Sequence, residues 1–214
     1  HADLCTYSFH PVKHITTGEG GAILTNDEEQ YHKLSLLRKH GIDRREEMFS
    51  EKDRIGSWIY EMETLGFNYR ITDFQAALGI SQLKKINTIK DRRREIVNYY
   101  NEHFTGMEEL ILPYEEKNVD SNFHLYILKV KDNPRFDRYD LFTYLQSQNY
   151  QPMVHYIPVH LLGYYKKKFG YKPGDFPVSE YYYDRAVSIP LYPSLTDEEV
   201  EKVVDDITNF VKLK

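Results

Sequence analysis

Apolar and polar positions recur along the chain with two different periods, and each marks a kind of element. At the start, Cys5-Thr6-Tyr7-Ser8-Phe9 is rich in β-formers and halts at His10-Pro11, so a short strand and a turn are predicted. Thr16 to Gly21 is a glycine-rich turn cluster, and Ala22 to Thr25 returns as a second strand, which leaves Lys13 in the loop between the two. Asn26 or Asp27 opens a helix to about Arg38, with Leu34 and Leu37 on one face and Gly41 as its stop. Residues 42–64 are charged and aperiodic around the lone Trp58, as in a long exposed loop.

From Ile71 the 3.6-residue period is clear: Ile71, Phe74, Ala77, Leu78, Ile80, Leu83 and Ile86 share a helix face, with Thr72 or Asp73 at its start. A second helix follows through Ile96, Val97, Tyr100 and Phe104 to Gly106. Its basic run, Lys90-Asp91-Arg92-Arg93-Arg94, offers phosphate ligands but reads more simply as a solvated helix face. Strands are predicted at His124–Val130, Gln151–Tyr156 and Val187–Ile189, and a helix at Arg138–Gln148. Thr196 and Glu199 form a capping box for a terminal helix with Val200, Val203, Val204, Ile207, Phe210 and Val211 on one face. The alternation of helix and strand predicts an α/β chain whose later part is an α+β unit.

Composition narrows the function classes. With 41% hydrophobic and 14% aromatic residues, the chain can bury a core and is not disordered. Twenty-eight basic against 33 acidic residues leave a net charge of -5, so no overall field draws it to nucleic acid or to an anionic membrane. No apolar run approaches the roughly 18 residues of a membrane helix, and a soluble, cytoplasmic protein is expected. The single cysteine, Cys5, forms no internal disulfide, in keeping with a reducing compartment. The chain opens at His1 and runs at once into patterned sequence, which points to a longer polypeptide.

Candidate chemistry begins with Lys13. Flanked by Pro11, Val12 and Ile15, its amine could be partly desolvated and nucleophilic, although taken alone it reads better as a solvated surface lysine. His10 and His14 lie four apart, but Pro11 and the strand pattern oppose a helix presenting both, and no metal site is expected. The 19 tyrosines lack the electrostatic groove of a single-strand binder and suit packing and interfaces better.

Ser8-Phe9-His10-Pro11-Val12-Lys13-His14-Ile15-Thr16-Thr17-Gly18-Glu19-Gly20-Gly21-Ala22 resembles the lysine motif of the DegT/DnrJ/EryC1/StrS sugar aminotransferases, which use pyridoxal 5'-phosphate and have the fold-type I architecture. The resemblance continues through Leu37-Arg38-Lys39-His40-Gly41, Leu65-Gly66-Phe67-Asn68-Tyr69-Arg70, Val154-His155-Tyr156 and Ser188-Ile189-Pro190-Leu191-Tyr192-Pro193. Within the family, His124-Leu125-Tyr126 and the segment Val154 to His160 are most similar to the transaminases of pseudaminic acid synthesis.

The resemblance implies the C-terminal part of a fold-type I enzyme: residues 1–90 from the large cofactor domain and 91–214 as the smaller α+β domain. It implies that Lys13 forms the Schiff base and moves protons as a base, that Ser8 binds the cofactor phosphate, and that Asn68 reaches the cofactor or substrate of a second subunit. A homodimer with shared active sites follows. Ser8, Asn68, Met153, Val154, His155 and Tyr156 are the implied substrate-binding residues. A UDP-linked 4-keto-6-deoxy sugar is the implied acceptor, with an L-amino acid, glutamate foremost, as donor. The aspartate that pairs with the pyridinium nitrogen is expected ahead of Ser8, outside these residues.

Overall fold

The structure, a computed structural model, describes residues 2–43 and 58–214. It forms two compact units, His1–Ile86 and Asn87–Lys214. The part of the expected 42–64 loop between residues 44 and 57 lies outside the described residues.

The first unit begins with an antiparallel hairpin of β1, Cys5–Ser8, and β2, Gly21–Leu24, in register from Cys5 opposite Leu24 to Ser8 opposite Gly21. Helix α1, Glu28–Arg38, is capped by Asp27, whose side chain accepts the Gln30 N–H. The ends of the expected long loop are not irregular: β3, Ile42–Asp43, pairs antiparallel with β4, Glu61–Met62. Helix α2, Asp73–Leu83, starts at a complete Thr72/Gln75 capping box.

The second unit carries the core. Helix α3, Ile86–Phe104, is followed by β5, Leu110–Ile111, β6, Tyr126–Val130, and α4, Arg138–Ser147. After α4 come a 3-10 turn at Val159–Leu161, α5, Gly163–Phe169, α6, Pro177–Arg185, β7, Ala186–Ile189, and α7, Asp197–Leu213. The three strands form one antiparallel sheet in the order β5-β6-β7. Ile96, Val97, Tyr100 and Phe104 of α3 meet Tyr126, Leu128 and Val130 of β6 and the expected apolar face of α7 in one buried cluster. The expected strand Gln151–Tyr156 shrinks to one bridge, Met153 with Ser188, because the chain leaves the edge of β7 after that single pairing.

The basic run of α3 is not a solvated face. Arg93 is buried, and its guanidinium donates to the carbonyls of Phe123, His124 and Leu191 at 3.3, 3.2 and 3.0 Å; burial pushes its pKa down. Arg94 forks onto Glu115 at 2.6 and 2.9 Å and also donates to the Ser121 carbonyl at 2.7 Å. Lys90 pairs with Asp120, and Arg92 with Asp197. Residues 112–125 contain no helix or strand, so these side chains supply what a backbone ladder does elsewhere. Lys90, Arg93 and Arg94 hold this segment against α3, while Arg92 reaches the start of α7.

Helices α5 and α6 are absent from the sequence reading, because one is short and aromatic on several sides and the other is uncapped by a polar side chain. Glu180 ties α6 to the segments flanking α5: its carboxylate accepts from His160 Nε2, in the 3-10 turn, at 2.8 Å and from the Gly174 N–H at 2.9 Å. These donors hold the Glu180 carboxyl below its ordinary pKa, with His160 the larger cause. A lowered folded-state pKa stabilises the fold above the pH at which an unfolded glutamate ionises and is lost as pH falls through the folded value.

The two units differ in what they bury. Among the described residues, α1 and α2 bury no side chain, and Phe74 on the apolar face of α2 is 91% exposed. Two outcomes are expected from thermal and denaturant unfolding of this chain. Leu141→Ala, at a fully buried site, costs about 2–5 kcal/mol, whereas Phe74→Ser changes stability by less than about 0.5 kcal/mol. The unfolding midpoint of Glu180→Gln lies below that of the unaltered chain at neutral pH, and the two converge on acidification; a difference independent of pH would contradict the hydrogen bonds assigned to the Glu180 carboxylate.

Candidate active site

The loop that carries Lys13 is closed by hydrogen bonds at Phe9. The Phe9 N–H donates to the Gly20 carbonyl at 2.9 Å, and the Phe9 carbonyl accepts from the Thr17 N–H and the Thr16 hydroxyl, each at 3.0 Å. Within this ring the Lys13 N–H donates to the His10 carbonyl at 2.9 Å, a turn for which Pro11 presets φ. Gly21 is required by close approach, since a Cβ there would stand 2.7 Å from the Tyr7 carbonyl oxygen. Gln75 of the α2 capping box donates to the Glu19 carbonyl at 2.9 Å and fastens the far side of the loop.

Ser8 and Lys13 are thus brought onto one hairpin, Ser8 at the end of β1 and Lys13 in the turn beyond it. The Lys13 side chain is half-buried, and no carboxylate pairs with it among the described residues. The exposed Ser8 hydroxyl accepts weakly from the His10 N–H at 3.4 Å and donates to no acceptor among the described residues. A primary amine and a hydroxyl donor five residues apart on one hairpin are the donor types that a phosphorylated aldehyde needs, and the residues present fit pyridoxal phosphate in that chemical sense.

Asn68 lies in the same unit on a segment laid along the end of α1. Phe67 N–H donates to Leu37 O at 2.6 Å, Tyr69 N–H to Arg38 O at 3.1 Å, and His40 N–H to Phe67 O at 2.9 Å. Two glycines permit this contact: a Cβ on Gly66 would stand 2.1 Å from the Gly41 nitrogen, and one on Gly41, at φ +70°, would stand 1.7 Å from the Thr64 carbonyl oxygen. The Asn68 side chain is exposed and makes no hydrogen bond among the described residues.

The remaining expected residues, Met153 to Tyr156, belong to the second unit. Met153 exchanges both backbone hydrogen bonds with Ser188, at 3.3 and 2.7 Å, and its side chain is 53% exposed. His155 places Nδ1 2.7 Å from the Ser188 hydroxyl and meets the Tyr156 ring edge-on at 4.6 Å, across a cis peptide bond. Val154 is half-buried and Tyr156 exposed. Met153, His155 and Ser188 line a cleft of about 420 Å³ with Asn149, Gln151 and Tyr192. Tyr150, also in its wall, donates to Asp206 at 2.8 Å, and burial followed by that carboxylate pushes its pKa up to about 12.

Sequence reasoning missed the supporting groups: Thr17, Gln75 and Ser188. Ser188 carried a signal, a hydroxyl inside an otherwise apolar strand. One further cluster went unread. His32 of α1, Asp43 and Glu63 place ligand atoms within 4.8 Å of one another, but Arg38, Lys39 and Arg70 line the cleft holding His32 and Asp43 and oppose a divalent cation.

Comparison with known proteins agrees with this arrangement. The model of the DegT/DnrJ/EryC1/StrS aminotransferase family matches residues 1–208, and this chain belongs to that family. It is 38% identical over 212 residues to the spore coat polysaccharide biosynthesis protein SpsC of Bacillus subtilis, with 98% of this chain and 54% of SpsC covered. It is 33% identical over 211 residues to the UDP-4-amino-4,6-dideoxy-N-acetyl-β-L-altrosamine transaminase of Campylobacter jejuni, with 99% and 53% covered. Among solved structures, Spr1654 of Streptococcus pneumoniae, assigned as a sugar aminotransferase and solved in PMP, PLP and apo forms, superposes with TM-score 0.88 at 30% identity in its PMP form, over 99% of this chain and 54% of that one. The chain spans about half the length of the curated relatives it matches, and its fold is a partial α/β aminotransferase fold. Among the described residues, no helix is long and apolar enough to cross a membrane.

The glycine contact gives a direct check. Gly66→Ala is expected to speed hydrogen exchange at the His40, Phe67 and Tyr69 amides, whereas Gly163→Ala, with open space at its Cβ, leaves them unchanged.

Proposed function

We propose that the polypeptide carrying this chain is a pyridoxal phosphate-dependent transaminase that moves an amino group from an L-amino acid, glutamate foremost, to a UDP-linked 4-keto-6-deoxy sugar. The hairpin that joins Ser8 to Lys13 is the observation that carries this reading. Bound pyridoxal phosphate would supply an electrophilic carbonyl and a conjugated ring able to delocalise negative charge. Lys13 provides the amine that attaches it, and the same Nζ takes and returns a proton. Lys13 is half-buried, and among the described residues no carboxylate is held against it.

The Ser8 hydroxyl donates to a phosphate oxygen. The exposed Asn68 carboxamide, on a rigidly seated segment, serves the active site of a second subunit, and the uncovered apolar face of α2 supports burial against further protein. Met153 to Tyr156 bind the acceptor sugar, with specificity set by the His155 and Tyr156 side chains. The absence of an apolar core among the described residues of the first unit favours a second reading for these 214 residues in isolation: a catalytically silent piece.

Treatment of the intact polypeptide with pyridoxal phosphate and then borohydride should fix a pyridoxyl adduct on the peptide containing Lys13, detected by mass spectrometry. Lys13→Ala should abolish both the adduct and aminotransfer. An adduct confined to another lysine would overturn the assignment.

A further inference from the structure

Strands β6 and β7 pair as far as Tyr126 opposite Ile189, and there their ladder ends. The next residue, Pro190, has no N–H with which to continue it, so the chain entering β6 and the chain leaving β7 are free to part. The cleft of about 420 Å³ has Leu125 of the entering chain and Pro190 and Tyr192 of the leaving chain in its wall.

Two side chains of α3 take over from the ladder. Nη1 of Arg93 lies between the two chains, 3.3 and 3.2 Å from the Phe123 and His124 carbonyls and 3.0 Å from the Leu191 carbonyl. Seven residues on, two turns along the same helix face, the Tyr100 hydroxyl donates to the Pro190 carbonyl at 2.9 Å. Both residues are buried, so the position of α3 sets the position of the strand ends.

A guanidinium is a costly group with which to close a core. It has lost its hydration, no carboxylate pairs with it among the described residues, and its Nε is buried there without a hydrogen-bond partner. What it adds is geometry: a planar fork with fixed donor directions tolerates little change in the distances between the groups it joins. We propose that Arg93 is a positioning residue for the acceptor sugar, which by joining His124 to Leu191 fixes the spacing of the two strand ends and so the seat of the sugar in the cleft. This rests on the reading of Met153 to Tyr156 as sugar-binding, because Met153 and His155 line the same cleft.

The test uses the intact polypeptide, with glutamate and a UDP-linked 4-keto sugar as substrates. Each substrate enters in its own half-reaction, so each kcat/KM reports one of them separately. Arg93→Lys keeps the charge but not the fork, and lowers kcat/KM for the sugar about tenfold while that for glutamate stays within about twofold. Arg94→Lys makes the same change one residue on; its partners Glu115 and Ser121 lie outside the cleft wall, and both efficiencies stay within about twofold. Tyr100→Phe, which removes only the hydroxyl, gives the same split at about threefold and decides the matter should Arg93→Lys fail to fold. A fall in both efficiencies alike, or in neither, overturns the proposal, since general loosening of the fold does not distinguish the substrates. Met153→Ala separates the two readings. If it weakens use of the sugar and Arg93→Lys does not, the positioning role falls and the sugar site stands; if neither does, the sugar site falls as well. A polypeptide that binds the UDP-linked sugar but transfers no amino group overturns the transaminase reading instead, and the contrast between Arg93→Lys and Arg94→Lys is then read in the calorimetric Kd for that sugar.

Discussion

The shape of the loop that carries Lys13 depends on how the backbone of Phe9 is satisfied. Its N–H and carbonyl close a ring of hydrogen bonds onto Gly20, Thr17 and Thr16. A loop so short cannot bury apolar surface to stabilise itself, so its backbone partners must define its shape. Ser8 stands just before this closure and Lys13 within it. The loop's backbone therefore sets the spacing of one hydroxyl-bearing and one amine-bearing residue, and the proposed chemistry rests on that spacing. The glycines belong to the same constraint, because β1 and β2 approach too closely at Tyr7 for a side chain opposite.

The second unit solves a different problem. It has a continuous core linking α3, β6 and α7, and it uses that rigidity to hold irregular chain at its surface. Arg93 and Arg94 do for residues 112–125 what Met153 and Ser188 do for residues 153–156: a few strong polar contacts replace a regular ladder. Placing the proposed recognition groups on short segments anchored to a core strand would fix their geometry without covering them.

Much of this was legible in sequence where the signal is local. The Asp27, Thr72 and Thr196 caps, the α7 face and the β1–turn–β2 order all follow from short-range rules that the structure obeys. The α2 periodicity was read correctly as a helix, yet its apolar face is uncovered, because period reports amphipathicity and says nothing of which partner covers the face. The basic run of α3 was misread, since composition cannot show that Glu115, Asp120 and Asp197 return to meet it. The Gln151–Tyr156 strand failed for a similar reason: alternation predicts strand character, but pairing needs an edge, and β7 offers one for a single residue. Of the candidate site, residue identities came from the motif; the Phe9 closure, the Gly41–Gly66 contact and the Ser188–His155 bond are long-range and needed coordinates.

The central claim is that the turn held by Phe9 presents Lys13 to a phosphorylated aldehyde anchored at Ser8. A crystal structure of the intact polypeptide grown with pyridoxal phosphate tests this most directly. The account predicts continuous density from Lys13 Nζ to the cofactor and a phosphate oxygen within hydrogen-bond distance of Ser8 Oγ. A cofactor ring bound elsewhere, with Lys13 directed into solvent, would contradict it.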